Sequence, residues 1–135
     1  MKFVSKKPTL GDQIKVNRGL YSHHGIYIGN DRVIQFGSTT GELDPEKAMV
    51  IETSLDDFLK GGELFVAEYS AEELKKKRSP EEIVKYAKAH LGEMGYDIIN
   101  NNCEHFSNEC AFGERKSMQV DNIMELLSTL FGGSR

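Results

Sequence analysis

Two apolar runs, His24-Gly-Ile-Tyr-Ile-Gly and Arg32-Val-Ile-Gln-Phe-Gly, meet at Gly29-Asn30-Asp31. Gly, Asn and Asp tolerate the positive φ that a tight hairpin turn demands. The runs therefore predict two neighbouring antiparallel strands, and the rest of the chain must build around them. Upstream, Asp12-Gln-Ile-Lys-Val-Asn alternates polar and apolar residues, as a half-buried strand does. Downstream, residues 37–47 are rich in Gly, Thr, Asp and Pro and read as a loop. Met49-Val-Ile-Glu-Thr reads as a strand, and Ser54 caps a short helix, LDDFLKGG, closed by Gly61 and Gly62. Leu64-Phe-Val-Ala-Glu-Tyr is the last clear strand.

The second half changes period. Ser79-Pro80-Glu81-Glu82 is a capping box with Pro at the first helical position. Ile83, Ala87 and Leu91 give that helix an apolar face, and Gly92 ends it. A Gly-Tyr-Asp loop leads to a helix starting near Cys103. Residues 118–131, with Val120, Ile123, Met124, Leu127, Leu130 and Phe131, form a last amphipathic helix. Strands first and helices later predict an α+β fold, an antiparallel sheet packed against helices. A length of 135 residues suits one domain, with its core at about residues 11–120.

A net charge of −4 gives no general attraction to nucleic acid or anionic membrane. The one basic cluster, Lys75-Lys76-Lys77-Arg78, reads as a solvated helix end. No apolar run approaches the roughly 20 residues of a membrane span. Residues 1–12 lack the apolar core and cleavage site of a secretory signal. The expected location is cytoplasmic, where thiols stay reduced. Cys103 and Cys110 lie seven residues apart in a helical segment, about 10 Å along the axis. A disulfide tolerates a Cα separation of about 7 Å, so the two are not expected to pair.

Both cysteines fall in Asn101-Asn-Cys-Glu-His-Phe-Ser-Asn-Glu-Cys110. Asn is a preferred N-cap, and Asn100, Asn101 and Asn102 precede Cys103, which then occupies the first helical turn. There the unpaired amides and the helix dipole stabilise a thiolate. Cys110, beside Ala111 and Phe112, reads as core. Cys-x-His spacing at Cys103 and His105 is not that of zinc ligands, and no C-x-x-C pair accompanies it; no metal or cofactor is expected. A thiolate used for acyl chemistry needs a base. His105 sits at i+2 on the helix and does not face Cys103. His90 lies late in the Pro80 helix, a dipole-facing or surface position. His23 and His24 enter a strand and point to opposite faces, so at most one faces the cysteine.

The stretch NCEHFSNECAFGERKSMQV resembles the cysteine motif of the lecithin:retinol acyltransferase family. GDQIKVNRGLYSHHGIYIGNDRVIQF resembles that family's histidine block, and the segments between fit as well. The resemblance runs from about residue 11 to residue 120. It implies a circularly permuted papain-like fold, similar to the NlpC-type and permuted deubiquitinase-like peptidases, in which His precedes Cys. It implies a cysteine nucleophile at Cys103, at a helix N-terminus, and a base at His23. The third, orienting position falls on Gln35, where many members carry His. A Gln carbonyl can accept from the imidazole N–H and fix its tautomer, but it cannot stabilise imidazolium as a carboxylate would. His24 stands where the family often has an aromatic residue.

The implied activity is acyl transfer or acyl hydrolysis through a thioester acyl-enzyme, with an acyl donor of lipid type. The backbone N–H of Cys103, with a hydroxyl from Tyr21, would form the oxyanion hole. Two rivals stand beside it. One is a peptidase or amidase with the same chemistry and a different groove. The other is a non-enzymatic binding module, against which the joint presence of Cys103, His23 and a polar Gln35 argues. Animal members commonly end in a hydrophobic span, whereas this chain ends LLSTLFGGSR. No transmembrane anchor is therefore expected. The apolar stripe of the last helix is expected to pack on the core or to form a homodimer, since its polar face carries no Lys or Arg for anionic lipid.

Overall fold

The computed structural model describes residues 1–19, 21–37, 48–94 and 103–113. Its strands are β1 (Lys2–Val4), β2 (Gln13–Asn17), β3 (Ser22–Tyr27), β4 (Arg32–Gly37), β5 (Met49–Ser54) and β6 (Phe65–Glu68). The helices are α1 (Leu55–Leu59), α2 (Ala71–Lys76), α3 (Pro80–Ala89) and α4 (Cys103–Phe112). All strand pairs are antiparallel, in the order β1-β6-β2-β3-β4-β5. The α+β reading holds. The expected helix over 118–131 lies outside the described residues.

The hairpin forms as its turn chemistry demands. Asn30 and Asp31 both have positive φ, 52° and 56°, and the Arg32 amide donates to the Gly29 carbonyl at 3.0 Å. Two positive-φ central residues match the right-handed twist of the flanking strands. The strand opens at Ser22, two residues earlier than expected, so both His23 and His24 lie within β3.

Strand alternation sorts the core into two layers. On one face Ile26, Ile34, Phe36 and Val50 pack with Ile83 and Ala87 of α3 and Phe106, Cys110 and Ala111 of α4. On the other, Ile14, Val16, Val33 and Val66 pack with Phe58 of α1. Phe58 is fully buried, a contribution of about 1.5–3 kcal/mol. Gly25 makes room for it: a Cβ there would lie 2.9 Å from the Phe58 ring and 2.8 Å from Val33. Gly11 plays the same part for α3. A Cβ there would meet the Pro80 backbone at 2.7 Å, and its φ is +81°.

Both capping boxes on α2 and α3 are complete, Ser70 with Glu73 and Ser79 with Glu82. Two readings need correction. Leu91 is exposed and lies past the end of α3, beyond the reach of its apolar face. The basic cluster is not wholly a solvated helix end. Lys75 and Lys76 close α2 in solvent, but the Arg78 guanidinium donates to the Glu109 and Cys110 carbonyls at 2.9 and 3.1 Å and stacks over Tyr86. It thereby anchors the C-terminal turn of α4, whose Glu109 carbonyl also accepts from the Gly113 amide at 2.8 Å. Strand β1 has no counterpart in the sequence pattern, and of helix α2 only the basic end was expected.

Candidate active site

The start of β3 and the start of α4 come together. Cys103 is the first residue of α4, half-buried, and its thiol donates to the Ser22 carbonyl at 3.7 Å. Ser22 directly precedes His23. The helix is held there by polar bonds, because residues 104–111 are all buried although most are polar. Gln13 on β2 donates its amide to Ser107 Oγ at 2.9 Å and to Asn108 Oδ1 at 2.8 Å, and accepts from the Tyr69 hydroxyl at 2.9 Å. Tyr86 on α3 donates to Glu109. Burying such groups costs stability unless they are bonded, and bonded they specify position. Burial, the main cause, holds the Tyr69 hydroxyl well above the usual range.

His23 and His24 take opposite faces, as the strand period requires. His23 is 1% exposed and meets Phe58 of α1, ring centroids 5.1 Å apart at 32°. Its Nε2 hydrogen-bonds Gln35 Oε1 on the adjacent strand β4. The Gln35 amide nitrogen donates to Thr53 Oγ1 on β5 at 2.8 Å, which leaves the amide oxygen for the imidazole N–H. In that tautomer Nδ1 carries the lone pair. Gly37 stands beside the pair, with room for only ordinary contact to Gln35 Oε1 and the His23 ring.

His24 turns toward α4. Its Nε2 lies 3.8 Å from Glu104 Oε2, and the Phe3 ring meets its edge at 5.7 Å. Burial, then the charges of Lys15 and His23, pushes its pKa down to about 3. The ring is neutral at pH 7, so the Glu104 contact is a polar proximity rather than an ion pair.

Among the sequence-predicted residues, the structure pairs His23 with Gln35 directly and sets the Cys103 thiol on the carbonyl next to His23. Tyr21 is half-buried just before β3, and its carbonyl accepts from the Arg18 amide at 2.8 Å. Asn100, Asn101 and Asn102 lie outside the described residues. His105 is buried within α4, and His90 is the C-cap of α3, bonded through Nδ1 to the Tyr86 carbonyl at 2.8 Å. Thr53 and Phe58 were not singled out from sequence. Thr53 reaches Gln35 only through the β4–β5 register, which pairs Gln35 with Ile51, two residues away. Among the described residues no group of three or more His, Cys, Asp or Glu side chains converges, and no helix is long and apolar enough to cross a membrane.

Cys110 is fully buried, and burial, with Glu109 beside it, pushes its thiol well above the usual range. Cys103, half-buried at a helix start, should therefore take up iodoacetamide first near neutral pH. Peptide mapping after brief alkylation checks this. Equal labelling, or faster labelling of Cys110, would remove Cys103 as the reactive thiol.

A family model described as Lecithin retinol acyltransferase matches residues 6–116. The lecithin retinol acyltransferase of Rattus norvegicus is 27% identical over 146 residues, covering 93% of this chain and 63% of its own. Phospholipase A and acyltransferase 2 of Homo sapiens is 25% identical over 142 residues, covering 98% of this chain and 88% of its own. Protein LEAD-SENSITIVE 1 of Arabidopsis thaliana is 32% identical over 133 residues, covering 67% of this chain and 51% of its own. The chain spans under two thirds of the length of the lecithin retinol acyltransferases it matches. The matched span contains β2 through α4, and with them Cys103, His23 and Gln35. This chain belongs to the lecithin retinol acyltransferase family.

Proposed function

We propose that the protein is a cysteine-dependent acyltransferase or acyl hydrolase acting on lipid-type esters. The observation that carries this reading is the buried His23–Gln35 hydrogen bond, one residue from the carbonyl on which the helix-start thiol rests. Family membership supports the reaction class. The order of the site, His on a strand before Cys on a helix, supports reading it as a circularly permuted papain-like enzyme.

In this mechanism His23 Nδ1 takes the proton of Cys103 Sγ, and Gln35 holds the ring from its other nitrogen. The thiolate attacks the ester carbonyl carbon and a C–S bond forms. The oxyanion is met by the Cys103 backbone N–H and by the Tyr21 hydroxyl. His23 returns the proton to the leaving alcohol as the C–O bond breaks. Water or an acceptor amine or alcohol then attacks the thioester and frees Sγ. His24 is unsuited to the base role, because a ring with a pKa near 3 takes a proton weakly at neutral pH.

Intact-mass spectra after mixing with a short-chain phosphatidylcholine test the reading. An acyl adduct on the parent that is absent from Cys103→Ser is expected. No adduct with lipid esters, but turnover of peptide or isopeptide substrates, would overturn the lipid assignment and keep the nucleophile. An adduct that persists in Cys103→Ser would overturn the nucleophile.

A further inference from the structure

The His23–Gln35 pair lies under α1, a helix of only five residues that carries none of the reacting groups. Three features fix this helix on the ring. Ser54 caps its start, its Oγ accepting from the Asp57 amide at 3.0 Å. At its end, Arg18, which follows β2, donates to the Leu59 carbonyl at 3.0 Å and to the Phe58 carbonyl. Between them, Gly25 leaves a gap on β3 that the Phe58 ring fills. The result is a fully buried phenyl ring over an imidazole that is itself 1% exposed.

We propose that Phe58 is a positioning residue for His23: its ring closes the α1 face of the imidazole and fixes the ring plane, so that Nε2 stays on Gln35. The proposal rests on His23 being the base of the reaction above. Its physical basis is general. A His on a strand can rotate about two side-chain bonds, and one hydrogen bond to a neutral amide restrains only one edge of the ring. A flat apolar partner on one face removes the remaining freedom and excludes water from that side. Arg18 and Gly25 act at one further remove, by placing α1 and by admitting the phenyl ring.

The test uses the full chain and two readouts, the His23 titration midpoint from its carbon-bound ring protons by NMR, and kcat with KM for an ester substrate. In Phe58→Leu, water reaches the ring and stabilises imidazolium, so the midpoint should rise by about half a pH unit or more. The looser ring should lower kcat roughly fivefold, part of what acid–base assistance supplies, with KM unchanged. Phe58→Met keeps an apolar chain of similar volume without a flat face and should shift both readouts the same way. It serves as the variant of record if Phe58→Leu fails to fold. An unchanged midpoint in the folded variant overturns the proposal, as does a rise in KM at constant kcat. The midpoint is read on any folded protein. It therefore judges Phe58 even where His23→Ala has shown that the ring is not the base.

Discussion

His23→Ala should lower turnover of an ester substrate by about 10²–10⁴-fold, the range that a positioned proton carrier contributes, while His24→Phe should keep the parent rate. The two residues are neighbours and both buried, so burial alone does not separate them. Their partners do. His23 is anchored through Nε2 to an amide oxygen, which places the N–H of the neutral ring on Nε2 and leaves Nδ1 as its acceptor. His24 lies against Phe3 and beside Glu104, at a pKa near 3. Phe at position 24 keeps the ring contact and removes the titratable group. Steady-state kinetics on the two variants decides, and loss confined to the His24 variant would assign the base to His24 instead of His23.

The same pair carries a stability signature. A His24 ring that titrates at 6.5 when unfolded and near 3 when folded binds more protons in the unfolded chain across that interval. Its contribution to stability is therefore complete above pH 6.5 and is lost as pH falls from 6.5 toward 3. Urea unfolding at neutral pH and at about pH 4.5 should show a smaller acid loss in His24→Phe than in the parent. An equal loss would mean that another buried group dominates acid unfolding.

Local signals were the legible part of this fold. The Asn30-Asp31 turn, the Ser54 cap and the Ser79–Glu82 capping box each act within four residues, and each element forms where they place it. Strand β1 is three residues long and exists only because Lys2 to Val4 pair with β6, more than sixty residues away. No local pattern encodes such a strand. Helix α2 was legible in principle, since Ser70 and Glu73 form a capping box, but it buries no residue and has no apolar stripe to announce it. Helix α4 inverts the usual rule. It is polar in sequence and buried in the fold, and partners on other elements, Gln13, Arg78 and Tyr86 among them, make that tolerable. At the site, the residues alone left His23 and His24 open, and the family resemblance pointed to His23 and Gln35. Thr53 and Phe58 were out of reach, because both depend on how β4, β5 and α1 stack across the sheet.

Gln35→Ala should lower kcat by roughly one to two orders of magnitude, less than His23→Ala, because it removes an anchor and neither reacting group. In the parent, Gln35 is 6% exposed and spends both ends of its amide, the oxygen on His23 and the nitrogen on Thr53. Truncation leaves the imidazole N–H and the Thr53 hydroxyl facing a cavity, so a modest loss of stability should accompany the loss of rate. Thermal unfolding measured alongside the kinetics separates the two. Gln35→His should retain activity, since a ring nitrogen can accept the same proton. Gln35→Glu differs in charge: a carboxylate against the ring favours imidazolium, and the Thr53 hydroxyl can turn to donate to it. The pH–rate profile of that variant should move upward, in the direction of a more basic His23. A Gln35→Ala enzyme as active as the parent across the pH range would reduce Gln35 to a strand residue. The chemistry would then belong to a Cys103–His23 dyad, with the ring held by Phe58 rather than by the neighbouring strand.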